Sequence, residues 1–456
     1  MTRVIIVRHG ESTYNTVRRI QGHLDKSVLT EKGCSDAVKV GKALSNISFD
    51  AIYCSPLKRA KQTAEIIHGE IKANLGNIPA LEENLKIKEI HLPLWEGMLA
   101  TEVQEKFPED HKVWKENPDK LRMLVQNGEK TVEYFPILAL YEQAKEFWQE
   151  ILPKHQNQTI LVVAHSCINR CLIQTAIKIT PGYMQHILQS NCCINVVNFA
   201  GLLEDKVQIE SFNQIQHMGA TLPSLRPNHQ GIRLLLVRHG ETDWNQQSRY
   251  QGQVDISLNE NGKLQSEKVA DFLKDVSIDK VYSSSLLRAK ETAAIILQQH
   301  QGINLELELE LELNDGFKEI IHGAWEGKLE TEIEQEFPGE LQRWRDTPEQ
   351  FQMPAGENFT DFWQRTVEVY ESIIEAALTD KLNTILIVAH GGTNQILLCH
   401  ILGLSAEQFW SFRQSNCCLN VIDYPKGKNG IPVVQGINFT SYLTGSVLDE
   451  TVTGAL

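Results

Sequence analysis

The sequence predicts an α/β fold: two tandem three-layer α/β/α domains, each a mostly parallel sheet with helices on both faces. Two observations predict this fold. Short apolar runs of strand length alternate with segments whose apolar residues recur at helical spacing, which is typical of parallel sheets covered by helices. The same order of runs returns about 230 residues later, close to half of the 456 residues, and a repeat of that length indicates duplication of a whole domain.

The repeat is clearest at the first predicted strand of each half. Residues 4–10 read Val-Ile-Ile-Val-Arg-His-Gly, and residues 234–240 read Leu-Leu-Leu-Val-Arg-His-Gly. Further matches keep the same order: Asn15 with Asn245, Gln21-Gly22 with Gln251-Gly252, 57–61 with 286–290, 95–97 with 325–327, 163–165 with 388–390, and 190–193 with 415–418.

The predicted domain boundary lies between these two sets of motifs. Residues 218–231 show no periodicity and contain two glycines and two prolines, which is typical of a linker. The predicted organisation is therefore a first domain at 1–217, a linker at 218–231, a second domain at 232–445 and a C-terminal tail at 446–456.

Within each half, strands and helices alternate. Continuous apolar runs predict buried strands at 3–7, 51–54, 160–164, 233–237, 280–282 and 385–389. Apolar residues at helical spacing predict helices at 30–44, 59–67, 168–177, 259–273, 288–297 and 393–402. Leu and Glu alternate strictly over 305–313, which predicts an edge strand with one acidic, solvated face. The cysteine pairs at 192–193 and 417–418 fall in strand patterns, so the two thiols of each pair would point apart and belong to the core.

Composition and charge exclude several classes of protein. Hydrophobic residues make up 42% of the chain, too many for a disordered protein, and no apolar run approaches the roughly 20 residues of a membrane span. With 58 acidic against 44 basic residues, the net charge is −14, which argues against a nucleic-acid partner. The nine cysteines include no Cys-x-x-Cys pair and the N-terminus shows no signal-peptide pattern, so we expect reduced thiols and a cytoplasmic location.

Polar residues follow three of the predicted strands in each half. In the first half these are Arg8 and His9, then Arg59, then His165. Their counterparts in the second half are Arg238, His239, Arg288 and His390. Because the carboxyl ends of parallel strands form one rim of a sheet, we expect each group of four to meet around a single point. Two arginines and two histidines at one point suit an anion, and a phosphate above all.

These clusters predict phosphoryl transfer without a metal or a cofactor. A neutral imidazole can attack phosphorus, and nearby arginines help to keep that imidazole unprotonated. The reaction also needs a proton donor for the leaving alcohol. Glu89 and Glu319 stand six residues before a Trp-Glu-Gly block in each half. Glu96 and Glu326, inside those blocks, are equally good candidates from the residues alone.

The ordered set of motifs resembles the histidine phosphatase superfamily, also called phosphoglycerate mutase-like, over both halves of the chain. The resemblance rests on Arg-His-Gly-Glu at 8–11 and 238–241, the segment at 55–63, the Glu before Trp-Glu-Gly, and Val-Ala-His at 163–165 and 388–390. The two-domain plan also resembles the tandem 2-carboxyarabinitol-1-phosphate phosphatase-like group of that superfamily. The resemblance implies a small, anionic phosphorylated substrate.

The resemblance also implies a role for each matching residue. The phosphorylated nucleophiles would be His9 and His239, and Glu89 and Glu319 match the proton donor, in preference to the glutamates of the Trp-Glu-Gly blocks. The predicted catalytic residues are therefore His9, Glu89, His165, His239, Glu319 and His390. The predicted phosphate-binding residues are Arg8, Asn15, Arg59, Arg238, Asn245 and Arg288. The predicted substrate-binding residues are Gln21, Gly22, Ser166, Gln251, Gly252 and Gly391.

The resemblance favours a phosphatase over a mutase. The mutase branch is recognised by Glu-Arg-x-Tyr-Gly around the acid and by a long insertion before the late histidine, and this sequence has neither. The predicted function is metal-independent hydrolysis of a small sugar phosphate or sugar-acid phosphate through a phosphohistidine intermediate. A cofactor-dependent phosphoglycerate mutase is the alternative.

The first half departs further from the superfamily's pattern than the second half does. Pro93 stands where the second half has Gly323, and Ser166 replaces the glycine at Gly391. These changes predict a different substrate for the first half, or binding without fast turnover. A further alternative is therefore a first domain that binds a phosphorylated ligand for regulation, with only the second domain catalytic. The oligomeric state stays open, as does packing of the two domains as a pseudo-dimer.

Overall fold

The structure, a computed structural model, describes residues 1–128, 130–303 and 310–449. It divides the chain into two units, Met1–Ala220 and Thr221–Leu456, which we call the first unit and the second unit. The predicted linker at 218–231 spans this division, and the predicted domain bounds stay predictions. Within the described residues, no helix combines the length and the apolar character that a membrane crossing requires.

The first unit is built around one main sheet. Its strands are β1 (Thr2–Arg8), β2 (Ala51–Cys54), β3 (Leu81–Glu83), β4 (Met123–Asn127), β5 (Lys130–Tyr134), β6 (Thr159–Ala164), β7 (Ile194–Phe199) and β8 (Val207–Gln214). Its helices are α1 (Thr13–Thr16), α2 (Glu31–Leu44), α3 (Lys58–Leu75), α4 (Ala100–Lys106), α5 (Pro108–Glu116), α6 (Pro136–Ile151) and α7 (Ser166–Ala176). The sheet order is β8-β7-β1-β6-β2-β3, and β4 pairs with β5 in a separate hairpin.

The second unit repeats this plan. Its strands are β9 (Arg233–Arg238), β10 (Lys280–Ser283), β11 (Leu311–Leu313), β12 (Thr384–Ala389), β13 (Leu419–Asp423) and β14 (Val433–Phe439). Its helices are α8 (Asp243–Gln246), α9 (Glu260–Leu273), α10 (Leu287–Ile303), α11 (Glu330–Glu336), α12 (Glu340–Asp346), α13 (Phe359–Thr379), α14 (Gly391–Ile401) and α15 (Ser441–Thr444). The sheet order is β11-β10-β12-β9-β13-β14.

The register of the parallel strands brings three carboxyl ends to one rim of each sheet. In the first unit β6 runs parallel to both β1 and β2, and β7 pairs antiparallel with β1. Arg8 lies opposite Ala164, and Cys54 lies opposite Val163. The second unit repeats this register with β9, β10 and β12. The residues that follow these strands therefore start from the same edge, as the fold class requires.

Helices cover both faces of each sheet. In the second unit α9 and α10 pack together, and Val269 and Ala293 of these helices share an apolar cluster with Leu235 and Leu386 of the strands. Leu236 alternates with Leu235 along β9 and is buried towards the opposite face. There α13 packs against α14, and α14 contacts β9. The predicted α/β class is therefore confirmed.

The strands predicted from apolar runs differ from the observed ones by at most one residue at either end. Helices α3 and α10 are longer than predicted, and in α3 the buried Ile71 continues the apolar face beyond the predicted end. Helices α2 and α9 begin at side-chain caps. Thr30 Oγ1 accepts a hydrogen bond from Gly33 N (3.0 Å), and Asn259 Oδ1 accepts one from Gly262 N (2.8 Å). Such caps stabilise a helix start because its first N–H groups lack partners within the helix.

The paired cysteines do not lie in strands, so that prediction is wrong. Cys192 and Cys417 lie in turns just before β7 and β13, with φ angles of 56° and 53°. The turns form because the backbone bonds to the end of the first strand instead. Cys192 N donates to Arg8 O (3.1 Å), and Cys417 N donates to His239 O (3.2 Å). All four paired cysteines are fully buried, which confirms them as core residues.

The strand predicted at 305–313 falls partly on residues 304–309, which lie outside the described residues. The described part is β11, which pairs with β10 at the edge of the sheet. Glu312 and Leu313 are both exposed there, and Glu312 forms an ion pair with Lys280 (2.9 Å). The edge position is confirmed for β11, but its exposed surface includes a leucine as well as a glutamate.

Candidate active sites

Each rim brings two predicted histidines together. In the first unit His9 follows β1 and His165 follows β6, and their ring centroids lie 5.2 Å apart. His9 N donates to Ala164 O (2.9 Å), which continues the strand pairing past the end of β1. In the second unit the rings of His239 and His390 also lie 5.2 Å apart. All four side chains are almost completely buried.

The first histidine of each pair is held in one tautomer. His9 Nδ1 lies 2.7 Å from Gly10 O. His239 Nδ1 lies 2.7 Å from Gly240 O. A carbonyl oxygen can only accept a hydrogen bond, so Nδ1 carries the proton and Nε2 keeps its lone pair.

The charge state of these rings follows from their surroundings. Burial lowers the pKa of His9 and His239 well below the ordinary histidine value, and the two arginines of each cluster lower it further. Arg288 acts from close range, because its Nε lies 3.3 Å from His239 Nε2. The neutral imidazole is the form that can attack an electrophile.

The buried arginines offer more hydrogen-bond donors than the protein uses. Arg59 Nη2 donates to Gly22 O (3.0 Å), but Arg59 Nε and Nη1 have no partner among the described residues. The same holds, within that part of the chain, for Nε of Arg8 and of Arg238. A buried N–H group without an acceptor is costly, so these donors fit an anion bound between them.

A serine that sequence analysis missed orients the second histidine. His165 Nε2 lies 2.8 Å from Ser55 Oγ, and His390 Nε2 lies 2.8 Å from Ser284 Oγ. In both rings the buried Nδ1 has no partner in the described chain, which leaves it for a ligand. Ser55 and Ser284 directly follow β2 and β10 at the same rim, and that position was a signal the sequence already contained.

Each predicted asparagine is linked to the first histidine through one other asparagine: in the first unit Asn191 Nδ2 donates to His9 O (2.9 Å) and to Asn15 Oδ1 (3.4 Å). Asn15 Oδ1 accepts a hydrogen bond from Ser12 N (3.1 Å), and Asn245 Oδ1 accepts one from Thr242 N (3.1 Å). Because Oδ1 is already used, the amide nitrogen is the end left for a ligand. Asn245 Nδ2 is buried and has no partner within the residues that the structure describes. It therefore adds a further donor to the second cluster.

Glu89 and Glu319 lie at the start of the helix that follows the second histidine. Glu89 Oε1 accepts hydrogen bonds from Cys167 N (3.1 Å) and Ile168 N (3.2 Å) at the start of α7. Glu319 Oε2 accepts one from Gly392 N (2.9 Å) at the start of α14. The two residues are 8% and 5% exposed. Each cluster therefore has a nearly buried carboxyl group beside its second histidine.

The glutamates of the Trp-Glu-Gly blocks hold a loop instead. Glu96 Oε1 accepts hydrogen bonds from His23 N (2.9 Å) and Leu92 N (3.0 Å). Burial alone would raise the pKa of Glu96, but these bonds and the contact with His91 lower it. Glu326 accepts matching backbone bonds in the second unit. Glu96 and Glu326 are therefore held in this loop, whereas Glu89 and Glu319 lie beside the second histidine of each cluster.

The predicted substrate-side residues lie in this loop and at the helix starts. Gly22 and Gly252 have φ angles of +49° and +53°, and a Cβ atom on Gly22 would overlap Glu96. Only glycine fits so close an approach. Gln21 and Gln251 accept hydrogen bonds from the hydroxyl groups that cap α1 and α8.

Ser166 and Gly391 are the first residues of α7 and α14, directly after the second histidine of each cluster. They share this place with the backbone N–H groups that bind Glu89 and Glu319. No group of three or more His, Cys, Asp or Glu side chains is placed to hold a metal ion anywhere in the described ranges.

The chain is similar to known proteins along both units. The sequence model of the histidine phosphatase superfamily (branch 1) matches residues 4–214 and 234–436. The 2-carboxy-D-arabinitol-1-phosphatase of Triticum aestivum is 29% identical over 469 residues, which cover 97% of this chain and 86% of that protein. Phosphoserine phosphatase 1 of Hydrogenobacter thermophilus is 32% identical over 212 residues, which cover 46% of this chain and 94% of that protein. The alpha-ribazole phosphatase structure from Shigella flexneri is 29% identical with a TM-score of 0.40, and the match covers 46% of this chain and 96% of that one.

The family match spans every member of both clusters, from Arg8 to His165 and from Arg238 to His390. It confirms the family that the motifs predicted and, with it, the predicted class of enzyme, a phosphatase. The chain belongs to the histidine phosphatase superfamily, branch 1, which it matches once in each unit.

Proposed function

We propose that each unit hydrolyses a phosphomonoester through a phosphohistidine intermediate. The observation that carries this proposal is the fixed tautomer of His9 and His239, which leaves an unprotonated Nε2 within a cluster of buried donors. A phosphoryl group in transfer carries its charge on three oxygens. The unpaired N–H groups of the arginines suit those oxygens, and so does Nδ1 of the second histidine in the tautomer whose Nε2 accepts a hydrogen bond from the serine hydroxyl. Fixed donors of this kind stabilise the transition state.

In the first step, His9 Nε2 attacks phosphorus, and the bond between phosphorus and the leaving oxygen breaks. Glu89 gives its proton to the departing alcohol, since its carboxyl group lies at the start of α7, directly after the second histidine of the cluster. The hydrogen bond from Nδ1 to Gly10 O supports the positive ring that results. His239 and Glu319 act in the same way in the second unit.

In the second step, water attacks the phosphohistidine and the phosphorus–nitrogen bond breaks. The Glu89 carboxylate takes the proton of the water, so inorganic phosphate leaves and both His9 and Glu89 return to their starting forms. The arginine donors hold the phosphoryl oxygens through both steps.

We propose a small sugar phosphate or sugar-acid phosphate as the substrate. The support is the similarity to the wheat 2-carboxy-D-arabinitol-1-phosphatase, which extends over 97% of this chain and so includes both units. 2-Carboxy-D-arabinitol 1-phosphate is therefore the first compound to test, followed by other sugar phosphates, phosphoserine and phosphoglycerates.

The test is release of inorganic phosphate by the wild type and by His9→Ala, His239→Ala and the double variant. We expect release to survive EDTA and to fall by about 10³-fold or more in the double variant. His400→Ala, a partly exposed histidine outside both clusters, is the control and should keep full activity. An active double variant would rule the proposal out, and strict dependence on 2,3-bisphosphoglycerate with little free phosphate would favour the mutase alternative.

A further inference from the structure

The first unit has a pair of stacked histidines beside its cluster that the second unit lacks. The ring centroids of His23 and His91 lie 4.7 Å apart, and the ring of Tyr134, at the end of β5, lies 5.9 Å from His91. The matching positions in the second unit are Gln253 and Ile321. We call His23, His91 and Tyr134 the histidine wall.

The histidine wall stands next to the proposed acid. His23 Nε2 lies 2.7 Å from Glu89 O, and His23 follows Gly22, whose carbonyl oxygen binds Arg59. A leaving group that is bonded to phosphorus in the cluster and protonated by Glu89 would therefore lie against this wall.

Both rings of the pair are held in one tautomer. The partner of His23 Nε2 is a carbonyl oxygen, so Nε2 carries the hydrogen and Nδ1 is left as an acceptor. The partner of His91 Nδ1 is the Glu96 carboxylate (2.9 Å), so Nδ1 donates and Nε2 is left as an acceptor. Neither acceptor nitrogen makes a hydrogen bond within the described residues, and the His91 side chain is 43% exposed.

The charge state of His23 agrees with this assignment. Burial lowers its pKa, and the nearby positive charge of Lys88 lowers it further, so the ring stays neutral near pH 7. In their neutral forms the two rings present His23 Nδ1 and His91 Nε2 as acceptor nitrogens. Hydroxyl groups donate to such nitrogens, whereas a carboxylate or a second phosphate can only accept and gains nothing from them.

We propose that the histidine wall selects leaving groups that carry hydroxyl groups, so that the first site prefers polyol phosphates and the second site does not share this preference. The inference rests on the proposed phosphatase function and adds the chemical class of the alcohol. In the second unit Gln253 Nε2 donates to Glu319 O (3.0 Å), which repeats the contact of His23. Ile321 offers no acceptor at the position of His91.

The test exchanges the pair between the units. In a chain whose second site is silenced by His239→Ala, the double change His23→Gln plus His91→Ile is compared with the unchanged pair. The substrates are D-glucitol 6-phosphate, a polyol, and 4-nitrophenyl phosphate, whose leaving group has no other hydroxyl. We expect kcat/KM for the polyol phosphate to fall about fivefold, because isoleucine offers no acceptor in place of His91 Nε2 while glutamine keeps an amide oxygen in place of His23 Nδ1. We expect kcat/KM for the aryl phosphate to change less than about twofold.

The reciprocal exchange distinguishes a change in substrate preference from a general loss of structure. In a chain with His9→Ala, the change Gln253→His plus Ile321→His should raise the ratio of kcat/KM for the polyol phosphate to kcat/KM for the aryl phosphate. Glu326 matches Glu96 and can accept a hydrogen bond from the histidine that replaces Ile321. Equal losses on both substrates, or an unchanged ratio in both exchanges, would overturn the inference. No turnover of either substrate by the His239→Ala chain would instead contradict the proposed function of the first site, and the reciprocal exchange would then decide the inference.

Discussion

The arginine beside the first histidine is held differently in the two units. Arg288 donates to Gly252 O (2.8 Å) and Val254 O (3.1 Å), and its Nε lies 3.3 Å from His239 Nε2. Arg59 makes one such bond within the described chain, and its Nε and Nη1 are unpaired there. The second cluster is therefore organised before a ligand binds, while the first leaves more of its arginine for the ligand to satisfy.

The two units also differ in the helix that contacts the loop of the proposed acid, which is α13 in the second unit and α6 in the first. Arg365 of α13 donates to Lys318 O (2.7 Å) and forms an ion pair with Glu357 (2.7 Å). In the first unit Gln143 of α6 donates to Lys88 O (2.9 Å), without a charge. The duplicated units thus keep the contacts that fit a phosphate and vary those that hold the loop of the acid. Differences in substrate and rate are expected to arise from these varied contacts.

The largest effect is expected from the cluster arginines. With His9→Ala present, Arg288→Lys should lower kcat/KM for phosphate release by about 10²–10³-fold, because lysine lacks the planar set of donors. With His239→Ala present, Arg59→Lys should lower kcat/KM about tenfold less than Arg288→Lys does, since Arg59 makes fewer contacts with the protein that the change could remove. Arg343→Lys, at an exposed ion pair, is the control. Equal losses at the two sites would show that the additional contacts of Arg288 do not matter.

A smaller effect is expected from His322, which occupies the position of Leu92 in the first unit. His322 is fully buried against Tyr250 and Trp325, and neither ring nitrogen has a partner among the residues described. Burial lowers its pKa to about 3. The folded protein therefore keeps this ring neutral, whereas the unfolded chain protonates it below about pH 6.5, so its contribution destabilises the fold as the pH falls.

Replacing this ring should remove that acid sensitivity. Between pH 7.5 and pH 5, the free energy of unfolding of His322→Leu should gain about 2 kcal/mol relative to the wild type. Urea unfolding at both pH values measures the difference. Leu92→His should introduce the opposite change in the first unit. An identical pH dependence of the free energy of unfolding in the wild type and in His322→Leu would contradict the lowered pKa of His322.

The smallest effect is expected from the helix behind the acid. Arg365→Gln, which copies Gln143, should lower kcat/KM at the second site about fivefold, because one partly buried ion pair is lost while a contact to the loop is kept. Steady-state phosphate release in a chain that carries His9→Ala measures kcat/KM at the second site. Gln143→Arg is the matched control in the first unit, and it should change kcat/KM there less than about twofold, because Gln143 already donates to the loop at Lys88 O. A second site that turns over normally without Arg365 would show that loop rigidity does not limit the reaction.

Local patterns predicted most of the fold and most of the residues at the rims. Apolar runs and helical spacing depend on neighbours in the chain, so the six strands predicted from apolar runs were found to within one residue at either end, whereas strands such as β7 and β13 were not predicted. The residues that directly follow those strands, such as His9 and His165, could be placed together because parallel strands share a rim. The cysteine turns were missed, because a left-handed residue such as Cys192 is set by bonding to another strand.

The order of the amino acids was enough to establish the duplication, the α/β class, the family and the grouping of arginines and histidines, since each depends on a repeated local pattern. The spacing of the residues left Glu89 and Glu96 as equally good candidates for the proton donor, and the resemblance to the superfamily favoured Glu89. The folded chain separates them physically, because Glu96 binds the backbone of its own loop while Glu89 lies at the start of a helix far away in sequence. The tautomer of His9, the serine behind His165 and the histidine wall likewise depend on the directions of hydrogen bonds, which exist only once distant segments have come together.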